Sequence, residues 1–522
     1  MPAPTPRPDA SAISPGLKRY LYGTATLTGA IVLVVEILGA KMLTPWFGSS
    51  HFVWTAQIAI TLLALAVGYY IGGRLADRYR RLSLVYLGLV GAAVYLGFTV
   101  LVRAQLAAAC LALSLPIGSV VASLALFFVP LTLLAMVGPY FIRTVTQSVE
   151  GVGRTVGQLS ALGTIGSVLG VVVTSYLLVP FVRDSRAMLG TAGVLVLLAA
   201  IYFVIWGRRD GGNGGWMAGA LLVLLVGYAG IRRETGTTFR HHVELAYANS
   251  HFGSMQVIES RDGRRRYYLN DLLIQNTYDP VAKRSLSMFT YGLYHLSYAY
   301  TPELRTALCL GMGIGIVPRQ LAADGVEVDV VEINPAVVPI AQRWFDFDPS
   351  AVRLIFDDAR HYIRVATRRY DTVQLDAFLG DSSPSHLMTR EAFTEIRRLL
   401  QPNGTLVINA FGNFEPERDF FATSLHQTLR AVFASVVVHA SPGGNTLYVA
   451  SDRTPLEFTP PASLAHVAPQ ARAELESALA GPWPVDSSRG IVLTDDYNPV
   501  EFYDAPNRER TRRLLARSMQ NW

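Results

Sequence analysis

The sequence has few cysteines and few charged residues for its length. Two of its 522 residues are cysteine, Cys110 and Cys309, in an apolar segment and in a predicted core strand. This excludes a disulfide framework and a cysteine metal site, so we predict that both thiols only pack. Charged residues make up 16% of the chain, whereas hydrophobic residues make up 51%. This composition is too apolar for an ordinary soluble enzyme, and it predicts that part of the chain lies in a lipid bilayer.

The apolar residues are concentrated in the first half of the chain. Between Leu21 and Ile231, hydrophobic runs of roughly 17 to 25 residues recur, and each is long enough to cross the hydrocarbon of a membrane. The predicted spans lie near residues 21–45, 52–75, 83–102, 119–142, 157–181, 187–206 and 215–231. The last one is marginal in length, so six and seven spans both remain open.

The net charge of +6 comes largely from arginines at the ends of these spans. The segment RLADRYRR at 74–81 is typical of a cytoplasmic loop, because such loops carry an excess of Lys and Arg. No nucleic-acid partner is needed to explain the positive charge. Seven spans would put the rest of the chain outside the cell. We expect it in the cytoplasm, with residues 215–231 lying in the membrane interface or re-entering the membrane, because a stretch of this length is short for a span.

The second half of the chain alternates strand and helix patterns. Residues 245–300 alternate apolar and polar side chains around a DG turn, which predicts a small β-hairpin region. Five short apolar runs then alternate with helical patterns and predict a doubly wound, Rossmann-like α/β sheet: TALCLG, VEVDVVEI, VRLIFDD, DTVQLDAF and TLVINAF. We therefore predict a polytopic α-helical membrane domain (1–233), a β-rich region (234–302), the α/β domain (303–455) and a C-terminal tail (456–522).

The first of these strands ends in the glycine turn, which contains Gly311, Gly313 and Gly315. Without side chains at these positions, backbone amides and a helix N-terminus can approach a ligand closely. A tight turn that serves packing alone is the other interpretation. Glu332 ends the next strand about twenty residues later, the offset at which an acid accepts hydrogen bonds from ribose hydroxyls. Together they indicate an adenosine-containing ligand.

Two further acids, Asp358 and Asp376, follow the next two parallel strands. Ligands of open parallel sheets bind beyond the carboxyl ends of the strands, so both acids and Glu332 are predicted to face one crevice. Asp358 precedes a helical segment, and capping of that helix is its alternative role. Its neighbour Asp357 is expected to point to solvent.

From about Met255 to Ala410 these motifs resemble those of the spermidine synthase family, the polyamine aminopropyltransferases. The matching segments are YLNDLLIQ, GMGIG, VEINP, DDA, LDAF with HLMTREAF, and RLLQPNGTLVIN. Each also occurs in S-adenosylmethionine methyltransferases. The whole chain looks like the bacterial membrane-fused branch of the family. This implies a multi-pass protein of the inner membrane with a fold of the S-adenosylmethionine-binding type.

The resemblance implies transfer of an aminopropyl group from decarboxylated S-adenosylmethionine to an amine such as putrescine. The products would be spermidine and methylthioadenosine, with no metal involved. Asp376 matches the catalytic base of the family, and Gln275 matches the residue that contacts the thioadenosine. Glu332 matches the ribose ligand, and Asp358 with Ala359 matches the adenine clamp. A homodimer is a further expectation.

The departures from the family pattern fall on the amine side. The family carries acids where this chain has Ile314 and Leu379, although Asp381 follows closely. Asp495 and Asp496 are alternative sources of negative charge if the tail folds over the crevice. Two other functions therefore stay open: another S-adenosylmethionine-dependent transferase, such as a methyltransferase, and a non-catalytic membrane transport or sensing protein.

Overall fold

The structure is a computed structural model, and it describes residues 13–48, 51–79, 81–146, 151–207, 215–237, 241–378, 384–441 and 445–520. The chain forms two compact units. The helical unit comprises residues 1–47 and 51–238, and the sheet unit comprises residues 48–50 and 239–522. The domain boundaries drawn from the sequence stay predictions.

The described part of the helical unit consists of helices. They are α1 (Pro15–Phe47), α2 (His51–Arg78), α3 (Leu82–Cys110), α4 (Leu115–Ala135), α5 (Val137–Val145), α6 (Val152–Val173), α7 (Val179–Phe181), α8 (Asp184–Ile205) and α9 (Gly215–Thr237). A π-helical segment, Thr174–Leu178, joins α6 to α7. Within the described residues, six helical stretches are long and apolar enough to cross a membrane: α1, α2, α3, α4 with α5, α6 through α7, and α8. The predicted polytopic helical architecture is confirmed.

Helix α9 contains the seventh predicted span, and its apolar stretch is shorter than the other six. A Cβ atom at Gly219 would meet the side chain of Val90, and one at Gly230 would meet Val100. Along these contacts the residue numbers of both helices increase in the same direction, so α9 lies parallel to α3. Leu189, near the start of α8, also packs on α9. This packing does not show whether α9 crosses a membrane, re-enters it or lies in its interface, so the placement of this segment stays a prediction.

The sheet unit begins with a five-stranded antiparallel sheet in the order β1-β2-β3-β4-β5. Its strands are β1 (His242–Ser250), β2 (Gly253–Ser260), β3 (Arg266–Asn270), β4 (Leu273–Asp279) and β5 (Arg284–Ser285). The predicted hairpin corresponds to β2 and β3, which pair around the DG turn. The sheet is larger than one hairpin because β1 and β4 extend it on both sides. Helix α10 (Met288–Tyr300) follows it.

A seven-stranded sheet forms the centre of the unit. Its strands are β6 (Thr306–Leu310), β7 (Glu327–Glu332), β8 (Arg353–Phe356), β9 (Tyr370–Leu375), β10 (Leu400–Phe411), β11 (Ser435–Ala440) and β12 (Asn445–Ser451), in the order β11-β12-β10-β9-β6-β7-β8. The five predicted strands, β6 to β10, are parallel, and β12 is antiparallel to both of its neighbours. The predicted doubly wound sheet is confirmed.

Helices cover both faces of this sheet. They are α11 (Ile316–Ala323), α12 (Val337–Phe345), α13 (Ala359–Val365), α14 (Arg390–Arg398), α15 (Phe420–Arg430), α16 (Pro469–Leu479), α17 (Val500–Tyr503) and α18 (Ala505–Gln520). One hydrophobic core lies between one face of the sheet and the helices α10, α11, α12 and α16. A second lies between the other face and the helices α13, α14 and α15. Cys309 lies in the first core, and both cysteines are buried and free. Helices on both faces connect the parallel strands of this sheet. In a sheet of this kind, a crevice lies at the carboxyl ends of the strands.

Candidate active site

A cavity of about 460 Å³ lies at this crevice, between the carboxyl ends of the parallel strands and the β3–β4 hairpin. Seven of the eight predicted site residues line it: Gln275, Gly311, Gly313, Glu332, Asp358, Ala359 and Asp376. Gly315 is not among the lining residues. The structure therefore brings nearly the whole predicted set around one space, although the role of each residue stays a prediction.

The glycine turn requires its glycines for two different reasons. Gly311 has a φ of 95°, and a Cβ atom there would clash with the backbone carbonyl of Asp376. Gly315 has a φ of 79° and is the N-cap of α11, and a Cβ atom there would clash with the ring of Phe347. Packing thus accounts for Gly315. Gly311 instead lets the ends of β6 and β9 approach each other beside the cavity.

Glu332 holds the glycine turn against the end of β7. Its Oε2 accepts a hydrogen bond from the N–H of Met312 at 3.0 Å, and its Oε1 accepts one from the N–H of Asn334 at 2.7 Å. Burial raises the pKa of Glu332, while these backbone amides oppose the shift. Each carboxylate oxygen has a second lone-pair site, so the group can also accept hydrogen bonds from hydroxyls of a ligand.

Asp358 caps a helix and also lines the cavity. It is the N-cap of α13, where its Oδ1 accepts a hydrogen bond from the N–H of His361 at 3.1 Å. Its Oδ2 lies 3.9 Å from Nε2 of His386, which also lines the cavity. Asp357 was expected to point to solvent, but it lines the cavity and its Oδ2 lies 2.6 Å from Nδ1 of His361. This end of the cavity therefore has two neighbouring carboxylates.

Asp376 lies directly after β9 and is positioned by a chain of amide groups. Its Oδ1 accepts a hydrogen bond from Nδ2 of Asn409 at 2.8 Å, and Oδ1 of Asn409 accepts one from Nδ2 of Asn445 at 3.0 Å. Burial raises the pKa of Asp376 to about 6, against the hydrogen bond from Asn409. Asp376 is therefore mostly ionised at neutral pH and titrates just below it. This is the range in which a carboxylate works best as a general base.

Sequence reasoning missed both of these asparagines. Asn409 lies inside the predicted strand TLVINAF, two residues before the end of β10, so the rule that examines residues directly after a strand did not find it. Asn445 begins the antiparallel strand β12, and it reaches the same edge because it pairs with Phe411 at the end of β10. No local pattern marks Asn445, since its position follows from the strand order alone.

The amine side of the predicted site differs from the expectation. Ile314 is 1% exposed and lies in the core, while Leu379 and Asp381 lie outside the described residues. Asp495 forms an ion pair with Arg360 at 2.6 Å. Neither Asp495 nor Asp496 is among the residues that line the cavity. Asp495 and Asp496 therefore do not supply the negative charge that this chain lacks on the amine side of the cavity.

The charged lining of the cavity has one sign. The acids among its lining residues are Glu332, Asp357, Asp358, Asp376 and Glu474, and the described lining contains no Lys or Arg. Carboxylates gathered in a concave site create a negative potential that attracts cations. The cavity is therefore suited to a positively charged ligand and unsuited to a free carboxylate or phosphate.

Comparisons with known proteins agree with the motifs. A family model described as "Methyltransferase domain" matches residues 308–408. A polyamine aminopropyltransferase of Vibrio vulnificus is 44% identical over 118 residues, which are 22% of this chain and 40% of that protein. An N-terminal histidine N-methyltransferase of Emericella nidulans is 31% identical over 133 residues, which are 24% of this chain and 23% of that protein.

Among solved structures, a probable spermidine synthase from Corynebacterium glutamicum is 20% identical, with a TM-score of 0.38 over 45% of this chain and 87% of that one. This chain spans less than half the length of the two curated relatives named above. The resemblance to polyamine aminopropyltransferases predicted from the motifs is confirmed by such relatives.

Proposed function

We propose that the sheet unit transfers an aminopropyl group from decarboxylated S-adenosylmethionine to an amine such as putrescine. The products are methylthioadenosine and, with putrescine, spermidine. The observation that carries this proposal is the acidic lining of the cavity, which has five carboxylates and, within the described residues, no Lys or Arg. The donor bears a sulfonium and an ammonium, and the acceptor is also an amine, so every charge that enters the cavity is positive.

The nucleoside of the donor lies along the ends of β6, β7 and β8. Glu332 accepts hydrogen bonds from the ribose hydroxyls while backbone amides hold it in place. Asp358 and Ala359 contact the adenine, and Gln275 on β4 contacts the thioadenosine. All four line the cavity. The sulfonium then lies near Asp376, because β9 is the next strand along the sheet after β6.

The chemical step is a single displacement. The amine nitrogen attacks the methylene carbon of the aminopropyl group next to the sulfonium, and a new C–N bond forms as the C–S bond breaks. The bonding pair stays on sulfur, which becomes the neutral thioether of methylthioadenosine. Asp376 accepts the proton that the amine loses. The protein contributes alignment of the two reactants and the base, because the sulfonium already makes the carbon electrophilic.

Methyl transfer from S-adenosylmethionine is the second candidate. The matching methyltransferase family model and the Emericella relative favour it. That donor carries a carboxylate, however, and the described lining of the cavity has no Lys or Arg to pair with it. An unpaired carboxylate in an acidic, closed site costs several kcal/mol. The decarboxylated donor avoids this cost.

Product analysis separates the candidates. Purified full-length protein is incubated with each donor, with and without a series of diamines. We expect methylthioadenosine, formed from the decarboxylated donor at a rate that depends on the amine. S-adenosylhomocysteine as the main product would establish methyl transfer instead. If neither product forms with any amine, the result would support a non-catalytic transport or sensing protein.

The helical unit is proposed to lie in the bacterial inner membrane, with α9 as a seventh crossing. The apolar stretch of α9 is short, but it packs in parallel against residues 90–100 of α3 and also contacts Leu189 of α8. The segment that joins α2 to α3 is rich in arginine, and this charge favours a cytoplasmic position for it. An odd number of crossings then puts the residues after α9 on the outer side, whereas six crossings would leave them in the cytoplasm, as expected from the sequence. With seven crossings, the reaction would use donor and amine present on the outer side. The expected homodimer stays a prediction.

Reporter fusions test this orientation. A phosphatase reporter that is active only outside the cytoplasm should be active after Trp522 and inactive when fused after Gly207, before α9. The matched pair isolates the crossing by α9, because the two fusions share the first eight helices. An inactive reporter at both positions, with both fusion proteins present in the membrane, would instead place the sheet unit in the cytoplasm.

A further inference from the structure

We infer that Glu474 binds the far ammonium group of a diamine acceptor and thereby selects amines with two charged ends. This inference rests on the proposed function and specifies its acceptor site. Glu474 belongs to α16, in a part of the tail that the sequence did not single out, and it lines the cavity. It contributes the negative charge that the family pattern places in the glycine turn, where this chain has the buried Ile314.

The neighbours of Glu474 orient its carboxylate. The hydroxyl of Ser441 donates a hydrogen bond to Oε1 at 2.7 Å. The N–H of Ser441 in turn donates to the carbonyl of Asn445 at 3.1 Å, and Asn445 belongs to the amide chain that positions Asp376. Among the described residues, no Lys or Arg forms an ion pair with Glu474. Its charge is therefore held in position and remains available to a cation.

The scaffold behind Glu474 is fixed by packing. Ala471, Leu475 and Ala478 of α16 are buried in the core. The carbonyl of Ala478 lies 2.9 Å from Nδ1 of the buried His439 on β11. The adjacent turns of α16 are thus attached to the sheet. A carboxylate on a rigid element can hold a ligand at a defined distance from the reacting atoms.

The strand order sets that distance. Asp376 follows β9, while Asn445 begins β12, two strands further along the sheet. Neighbouring strands lie about 4.8 Å apart, so the two positions are separated by roughly 10 Å. Glu474 is hydrogen-bonded to Ser441, which in turn is bonded to the carbonyl of Asn445, so Glu474 lies on the β12 side of Asp376. In the inferred complex a short diamine extends from Asp376 towards the β12 side, with its reacting nitrogen at Asp376 and its other nitrogen at Glu474.

The remaining acids of the cavity are on the donor side. Glu332, Asp357 and Asp358 lie at the ends of β7 and β8, on the opposite side of β6 from Asp376. Among the described lining residues, Glu474 is therefore the acid that lies beyond Asp376 in the acceptor direction. An ammonium ion left without a partner in a closed site is unfavourable, so this position decides which amines bind.

The test compares two variants with two acceptors. Glu474→Gln removes the charge and nearly preserves the shape. Glu476→Gln is the matched control, because it removes an exposed charge from the same helix outside the cavity lining. Each variant is assayed with a diamine and with the monoamine of equal chain length, and methylthioadenosine is measured. Donor affinity is measured separately by calorimetry.

We expect Glu474→Gln to raise the KM for the diamine about 10- to 100-fold, as for loss of one charge-assisted hydrogen bond. Its kcat should stay within a few-fold, and donor affinity and the KM for the monoamine should not change. Glu476→Gln should behave like the wild type. Equal effects on both amines, or an unchanged KM for the diamine, would overturn the role of Glu474. A wild-type protein that forms no methylthioadenosine with any amine would instead overturn the proposed function itself.

Discussion

Replacing Asp376 with Asn should lower turnover by about 10² to 10⁴ while donor affinity stays within a few-fold. The two side chains have nearly the same shape, so the reactants should still align. The variant lacks a group that accepts the proton of the attacking amine. Single-turnover measurements at saturating donor and amine report this step directly. Calorimetry with methylthioadenosine reports binding on the same sample.

The pH dependence gives an independent check on this role. Burial raises the pKa of Asp376 to about 6, so the wild-type rate should fall as the pH drops through that value. Protonation of the amine nucleophile lowers the rate further in the same direction. The part of the decline that belongs to Asp376 should be missing in the Asn variant. The residual rate of this variant should change with pH only through protonation of the amine.

Stability distinguishes a catalytic base from a residue that only caps the loop after β9. The pKa of Asp376 is higher in the folded protein than in the unfolded chain, so its contribution to stability is fully present below the unfolded value. That contribution is lost as the pH rises through about 6. The Asn variant stays neutral and should therefore be at least as stable as the wild type at pH 7. A capping role predicts a lower melting temperature with near-normal turnover. A stable variant with the wild-type rate would remove Asp376 from the mechanism.

The part of the cavity proposed to bind the donor could be predicted because it follows from local sequence. In a doubly wound sheet, each strand brings its last residue to the same edge. Glu332, Asp358 and Asp376 each follow a recognisable apolar strand, and the structure places all three around one cavity. The glycine turn has the same local character, since the spacing of its glycines marks the passage from strand to helix.

The part of the cavity proposed to bind the acceptor amine could not be predicted because it depends on contacts distant in sequence. Asn445 reaches Asn409 only because β12 inserts between β10 and β11 as an antiparallel strand. Glu474 lies on an amphipathic helix of the tail, where a partly exposed acid resembles any solvated surface residue. Hydropathy likewise gave α9 a marginal length but could not show which helices it packs against. Strand order and helix packing are tertiary information in all three cases.

Replacing Glu332 with Gln should weaken donor binding about 10- to 100-fold, because charge-assisted hydrogen bonds contribute about 1.5 to 3 kcal/mol. Both carboxylate oxygens accept backbone N–H groups, from Met312 and from Asn334. A Gln side chain has one carbonyl oxygen, so its NH₂ group must face one of these donors without forming a hydrogen bond. The change therefore removes the charge that faces the ribose and also loosens the glycine turn.

The matched control for Glu332 is Glu327→Gln, at the other end of the same strand β7. Glu327 is exposed and pairs with Arg368 at 2.7 Å, and a surface ion pair of this kind contributes about 0 to 1 kcal/mol. Calorimetry with methylthioadenosine should show the loss of affinity for Glu332→Gln and wild-type affinity for Glu327→Gln. Because the lost contacts are to the nucleoside, saturating donor should restore most of the turnover in Glu332→Gln. Unchanged affinity in a folded Glu332→Gln variant would show that the ribose binds elsewhere, and the assignment of the donor side along β6, β7 and β8 would then be wrong.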